Sequence, residues 1–336
     1  MSGQRSSLLC AIVLALTLSS TLAVTAQTSA LPDEWIDISA TSPTFDDFVR
    51  AAQRAASNDE LWVGYTFALR EGVHVGCDDW RGRSVSFGRD SISFLLDRED
   101  VDRSSTCTQD FGFFLRFDGD ADRVVEARLM TLRRAVRRLD GDVVWAGEMP
   151  VQASISWLGP AVLERDSGLR AAGADAVETR TRLLTAAAVH DSPGGVAIAL
   201  AALDSDYPSE LRKSGIFWTA QFGGDDGLQR LIEMAHQDGD AEVRKQSIFW
   251  LAQVAGERAT AHLADIAEDD PETEVRQAAV FALSQSEDDA ALDALIEIVR
   301  THDNREVVKS ALFWLGQSGD ERAVALIEEL LFGHLD

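Results

Sequence analysis

Basic residues are scarce in this sequence. Against 56 Asp and Glu stand 31 Lys and Arg, a formal net charge of -25 at pH 7. That deficit excludes nucleic acid as a partner, because backbone binding needs clustered cations to displace counterions and this surface repels phosphate. Basic proteins, basic peptides or divalent cations are what it attracts. Catalytic signatures are missing too. None of the six histidines (His74, His190, His236, His262, His302, His334) sits in a His-Glu dipeptide or an HExxH run. There is no GxSxG, no Walker loop and no GxGxxG opening a helix. Nucleophile elbow, zinc-protease helix and phosphate cradle are therefore unwritten, and no cofactor is implied.

Long apolar runs are confined to the N-terminus. Residues 1–26 carry Arg5 as their only charge, then "LLCAIVLALTL", then small and polar residues ending "AVTAQ". This is the pattern of a secretory signal peptide. Val24 and Ala26 place the mature start at Gln27, and loss of Arg5 takes the formal charge from -25 to -26. The expected location is the periplasm or the outside of the cell. A retained anchor is the alternative, although the run is short for a spanning helix. No later segment could span a membrane.

Cysteine is rare as well. Beyond Cys10, inside the leader, only Cys77 and Cys107 remain, and an even pair in an oxidising compartment reads as a disulfide. Closing a loop of about 30 residues contributes about 3 kcal/mol on the loop-entropy model. The rival is metal ligation with His74, Asp78 or Asp79 in "HVGCDDW", although two cysteines without a second nearby His make a poor zinc site. Asp118, Asp120 and Asp122 have calcium-loop spacing, but Arg123 and Leu129 stand where Gly and Glu are needed, which leaves a polar turn. No metal site is assigned.

Residues 27–165 read as a small α+β domain. "SPTFDDFVRAAQRAAS" (42–57) is a capped helix with Phe45, Phe48, Val49 and Ala52 on one face. "LWVGYTFAL" (61–69) reads as a strand. "FGFFLRFDGDADRVVEARLMT" reads as a hairpin that sets Phe113, Leu115 and Phe117 against Val125, Ala127 and Leu129. "VVWAG" and "ASISWL" add further strands or a final helix, and the expected sheet is antiparallel. The Arg133, Arg134, Arg137, Arg138 run pairs with the chain's own carboxylates or forms a solvated face, with phosphate or acidic lipid as the rival.

The rest of the chain repeats with a period of 32. Phe217, Phe249, Phe281 and Phe313 fall in one column, and Gln221, Gln253, Gln285 and Gln317 in another. Leu211, Val243, Val275 and Val307 open each unit; Arg212, Arg244 and Arg276 follow three of them. Leu231, Leu263, Leu295 and Ile327 recur downstream. A fixed period of this size indicates a solenoid. Each unit reads as two helices: in the second, Val243, Ser247, Trp250, Leu251 and Val254 share a face that stops near Gly256, and a shorter helix follows from Arg258 to Ala267. Neither could bury its face alone, so units must stack.

The pattern Val243-Arg244, Ser247, Trp250-Leu251, Ala259 and Leu263, echoed at Val275-Arg276, Ala279, Ala282-Leu283, Ala291 and Leu295, resembles the short HEAT-like repeat named after phycobilisome lyases. The resemblance covers residues 208–336 as units 208–239, 240–271, 272–303 and 304–336, with a degenerate unit at 175–207. It implies an α+β domain followed by an all-α solenoid, and a role in protein binding. The N-terminal region is loosely similar to exported bacterial HEAT-repeat proteins of uncharacterised role. One HEAT-like family hydroxylates a modified lysine with iron held by His-Glu pairs; those pairs are missing here. The second helices, expected to line the inner face of such a stack, carry much of the acidic excess of 26 carboxylates against 11 basic residues after position 208.

The Phe column departs from that repeat. At about 100° per residue, Phe249 points roughly 140° away from the core face of its helix. With Lys245 and Gln253 it forms an i, i+4, i+8 stripe, matched at Lys213-Phe217-Gln221, Gln277-Phe281-Gln285 and Lys309-Phe313-Gln317. Either each Phe wedges against the neighbouring unit while the Gln bonds across, or the eight Phe and Gln residues form an open binding ladder. Trp218, Trp250 and Trp314 read as core. The expectation is a non-enzymatic scaffold or regulator that binds an unidentified protein, with basic proteins favoured by charge. An enzyme site around His74, Asp78 and Asp79, or a ligand sensor in the aromatic strands, is the alternative.

Overall fold

The computed structural model describes residues 31–38, 44–56, 61–75, 85–86, 93–96, 111–117, 124–163 and 174–332. The leader, Cys10, Cys77, Cys107, Asp78, Asp79, the turn at 118–123 and His334 lie outside the described residues. No described helix is long and apolar enough to cross a membrane.

A small sheet-containing domain comes first. Strand β1 (Ile36–Asp37) precedes helix α1 (Phe45–Ala55), which starts where the Thr44 side chain accepts from the Asp47 N–H, as the Thr-Asp spacing predicts. Phe45, Phe48 and Ala52 are buried. Strand β2 (Leu61–Thr66) follows, and β3 (Val73–Val75), β4 (Val85–Ser86) and β5 (Ser93–Leu96) form a separate antiparallel sheet in the order β3-β5-β4. His74 lies in β3.

The main sheet continues with β6 (Phe111–Phe117), β7 (Val124–Thr131) and, after the short helix α2 (Leu132–Arg138), β8 (Asp142–Glu148). The β6–β7 pair is antiparallel with Phe113 opposite Leu129 and Leu115 opposite Ala127. A register shift at Arg116 and Phe117 sets Phe117 opposite Val124 instead of Val125. The sheet order is β1-β8-β2-β6-β7, and it is mixed, not wholly antiparallel: β8 runs parallel to both β1 and β2. The cause is the α2 connection. It carries the chain from β7 at one side past β6 and β2, so that β8 enters in the direction of β7. "ASISWL" belongs to helix α3 (Val151–Leu163).

Ten helices follow in pairs among the described residues: α4 (Ala174–Val189) with α5 (Pro193–Ala201), α6 (Ser209–Phe222) with α7 (Gly224–Gln237), α8 (Ala241–Ala255) with α9 (Thr260–Asp269), α10 (Thr273–Ser284) with α11 (Asp289–Thr301), and α12 (Arg305–Ser318) with α13 (Glu321–Phe332). Asp240, Asp288 and Asn304 cap their helices with side-chain oxygens. The α8 helix stops at Gly256, whose φ of 53° suits a residue without a side chain.

The buried face of α8 is Val243, Ser247, Ile248, Leu251 and Ala255. Val254 is 42% exposed and Trp250 half-buried, so the face is rotated toward Ile248 from the one expected. The reason is that α8 is gripped from two sides, by α7, the second helix of the preceding pair, and by the flanking first helices α6 and α10, and Ile248 lies on the α10 side. Small residues stand where helices approach most closely: Ser247, Ala279 and Ala311 are fully buried in one column.

The stack grows directly out of the sheet. Leu183, Leu184, Ala186 to Val189 and Trp218 share one core with Tyr65, Phe113 and Phe114. Arg182 Nη1 donates to the Ala127 carbonyl at 3.0 Å. His190 stacks on Phe67 with ring centroids 3.6 Å apart, beside a bridge between Leu69 and His190.

Candidate functional site

The four ladder phenylalanines occupy equivalent positions on α6, α8, α10 and α12 but differ in environment. Phe217 is 8% exposed, held edge-on by Trp218 at 4.6 Å and Trp250 at 5.0 Å. Phe249, Phe281 and Phe313 are 45%, 39% and 58% exposed. Each leans on a tryptophan: Phe249 on Trp250 at 5.1 Å, Phe281 on Trp314 at 5.0 Å and Phe313 on the same Trp314 at 4.9 Å. The tryptophans underlie the exposed rings, which explains why Trp250 and Trp314 are half-buried while Trp218 is fully buried.

Between α8 and α10 the ladder opens a cleft of about 170 Å³. Phe249 and Phe281 wall it, Ala252, Ala278 and Ala282 form its floor, and Gln253 and Gln285 close one end. Small floor residues let the two helices leave a groove without an underlying void. At the other end Lys245 bridges Glu242 at 2.6 Å and Glu274 at 3.3 Å, which holds these first helices in register.

Gln253, Gln285 and Gln317 are exposed and Gln221 is half-buried. The Gln285 amide donates to Ser284 Oγ at 3.2 Å on its own helix. Among the described residues no hydrogen bond joins one ladder Gln to another repeat; the cross-repeat amide bond is made by Gln277, which donates to the Glu306 carbonyl at 3.3 Å. The Gln column also borders a second set of clefts at the turns between paired helices. One of about 360 Å³ includes Gln221, Asp225, Val254 and Arg258; another of about 340 Å³ includes Gln285, Glu257, Glu287 and Asp288. These turns are acidic: Asp225, Asp226, Glu257, Glu287, Asp289 and Glu321 are exposed, against Arg258 and Arg322. Both arginines are engaged, Arg258 with Asp225 at 3.1 Å and Arg322 with Asp289 at 2.6 Å.

Among the described residues no three His, Cys, Asp or Glu side chains are grouped to hold a metal ion. On this face the ion pairs raise Lys245, chiefly through Glu242, and Arg322, chiefly through Asp320; other perturbed groups lie away from it. Burial pushes the Tyr65 phenol up while it bonds Ser154 at 2.8 Å. Burial draws His190 down to about 4. His236 is lowered by burial and then by the neighbouring His262, whose ring centroid is 5.5 Å away. What the ladder face can do is seat side chains in an apolar cleft, offer amides to a backbone and hold cations along its acidic edge.

Sequence reasoning passed over the frame that keeps the ladder in place. Arg244, 5% exposed, donates Nε to Asp270 Oδ2 at 2.7 Å, Nη2 to Oδ1 at 2.9 Å, and Nη1 to the Asp238 carbonyl at 2.9 Å. Arg212 pairs with Asp238 one repeat earlier. The signal was available: Arg212, Arg244 and Arg276 are each followed 26 positions later by Asp238, Asp270 and His302. The third column member breaks the pattern, and Arg276 Nε is buried without a partner.

A family model of HEAT repeats matches residues 196–284 and 261–334, from within α5 through α13. A search of curated proteins finds no match to the chain. The protein is thus built of a small sheet-containing domain followed by a helical stack that contains HEAT repeats.

Proposed function

We propose that this protein is a non-enzymatic scaffold or regulator of the bacterial cell envelope, exported by its N-terminal leader, whose HEAT repeats seat another protein on the Phe and Gln face of the first helices. The observation that carries this reading is the exposure of Phe249, Phe281 and Phe313 in consecutive repeats, while the neighbouring column of Leu251, Leu283 and Leu315 is sealed at 0–1%. Contiguous exposed aromatics mark interaction surfaces. Covering a phenylalanine fully is worth about 1.5–3 kcal/mol, so closing three half-exposed rings supplies several kcal/mol to a complex.

The partner's chemistry follows from the surroundings. Stacked helices lie about 8–10 Å apart, which matches one turn of a polyproline II chain, about three residues at 3.1 Å each with every third side chain on one face. A segment with an apolar residue at every third position would fill successive clefts, meet the Gln amides with its backbone and direct Lys or Arg to the acidic turns.

The test is a pull-down from envelope extract with residues 27–336, compared with a Phe249→Asp/Phe281→Asp variant of matched helicity and melting temperature. The expected result is that one specific protein is captured by the parent and lost with the variant. Equal capture by both proteins refutes the assignment of this face.

A further inference from the structure

Consecutive repeats are joined at their turns by a column of arginine–carboxylate pairs, and that column has a gap. Arg258 stands 33 positions after Asp225 and reaches it at 3.1 Å. Arg322 stands 33 positions after Asp289 and reaches it at 2.6 Å, with Asp293 at 3.1 Å. The middle joint has the equivalent acid, Glu257, but position 290 is alanine. The clefts at the first two joints are built alike. Ala220, Asp225 and Leu231 line the first, of about 360 Å³, and Ala252, Glu257 and Leu263, each 32 positions on, line the second, of about 340 Å³. The first is edged by its own cation, Arg258. The second is lined by Glu257, Glu287 and Asp288 with no Lys or Arg. Asp288 is engaged, accepting from Thr260 Oγ1 at 2.8 Å and from the Ala290 N–H at 3.1 Å. Glu257 and Glu287 have no hydrogen bond or ion pair among the described residues.

We propose that the middle cleft takes the guanidinium it lacks from outside, as an arginine side chain of the protein seated on the Phe and Gln face, a proposal that rests on the reading of that face as the docking surface. The molecule itself identifies the occupant, since both sister joints set an arginine against the equivalent acid. Two carboxylates suit a guanidinium better than an ammonium, because its planar fork presents donors along more than one edge, whereas a lysine meets them as a point charge. Position sets the source. Ala252, Ala282 and Gln285 line both this cleft and the apolar one between Phe249 and Phe281. A chain that seats an apolar residue between the two rings therefore brings a neighbouring side chain to Glu257 and Glu287. Both carboxylates are exposed, so the contact is weak alone and selects a partner more than it holds one.

The experiment is a titration of residues 27–336, which include every described element, with N-acetyl-arginine amide, followed by the amide NMR signals of Gly256, Glu257 and Glu287. Saturable shifts confined to this cleft are expected, with a Kd on the order of 10 mM. N-acetyl-citrulline amide, of similar shape without the charge, is expected to bind at least about tenfold more weakly. Ala290→Arg, at an exposed position, supplies the missing guanidinium from within and is expected to abolish the response, as is Glu257→Gln/Glu287→Gln. Free L-arginine, whose own carboxylate meets the acidic rim, is expected to bind more weakly than the capped probe. Shifts spread evenly over the acidic surface, equal binding of the citrulline probe, or an undiminished response in Ala290→Arg overturn the proposal. Tighter binding of free arginine overturns the assignment to a partner's side chain. The titration needs no partner, so its failure is distinct from failure of the ladder, which the Phe249→Asp/Phe281→Asp pull-down reads alone. In that pull-down Ala290→Arg is expected to lower capture at least about threefold, and undiminished capture also overturns the proposal.

Discussion

Replacing Arg244 with methionine leaves the Asp270 carboxylate, 7% exposed, with the Glu272 N–H at 2.9 Å as its remaining hydrogen bond. Methionine preserves most of the apolar stem, so the loss is electrostatic. Three hydrogen bonds disappear, and removing one partner of a buried ion pair costs about 3–5 kcal/mol because the other charge stays buried. For a chain of this size each kcal/mol lowers the melting temperature by about 2–4 °C, so the expected drop is on the order of 10 °C. The sequence supplies its own control. Arg276 stands in the same column, but its partner position is His302, whose Nδ1 accepts from the Asn304 N–H, and Arg276 Nη2 reaches Thr273 Oγ1 at 3.1 Å. Arg276→Met abandons no buried carboxylate and is expected to cost about 1 kcal/mol. Thermal and urea unfolding followed by circular dichroism compare the two. Arg244→Met/Asp270→Asn should recover part of the loss, since the stranded charge is removed. Equal losses for Arg244→Met and Arg276→Met would refute the clasp as the dominant inter-helix tie.

The ladder predicts a second contrast: Phe217→Ala is expected to cost about 3–4 kcal/mol and Phe313→Ala less than about 1, read from the same unfolding curves, because the first ring is buried and the second exposed. Helix α5 packs so closely on α4 that a Cβ on Gly195 would lie 1.9 Å from the Ala187 carbonyl oxygen. Gly195→Ala is therefore expected to destabilise by at least about 2 kcal/mol, whereas Gly316→Ala, in open space on α12, stabilises by about 0.5–1. Burial lowers His190 to about 4, below its ordinary value of about 6.5, so the folded state excludes a proton that the unfolded chain binds. The stability present above pH 6.5 is thus lost as pH falls toward 4, by up to about 3 kcal/mol. His190→Phe, which keeps the stack on Phe67, should flatten that part of the melting-temperature profile relative to the parent; parallel profiles would exclude the histidine as its source.

The repeats were legible because a solenoid writes its contacts locally. Each first helix must meet the same neighbours, so the columns of Val243, Leu251 and Leu263 return every 32 residues whatever lies far away in sequence. Capping and hairpin signals are local in the same way, which is why α1 and the β6–β7 pairing could be read from Thr44-Asp47 and from alternation. Strand direction was not local. The parallel pairing of β8 with β2 joins segments some 80 positions apart through α2, and alternation carries no sign of direction.

By itself the sequence determined the period, the paired-helix unit, the place of each Phe and Gln on its helix and the acidic balance, since these depend on spacing and composition alone. Tertiary structure decided which of the equivalent residues meet solvent. Phe217 and Phe249 have the same local pattern, yet the first lies beneath Trp250 where the stack joins the sheet, and the second is 45% exposed. Likewise Ile298 and Leu330 share a column, and the difference between 4% and 44% exposure is the helix pair that, among the described residues, packs over the first alone. Burial belongs to a residue's neighbours in space, and a repeated sequence specifies those neighbours everywhere except at its ends.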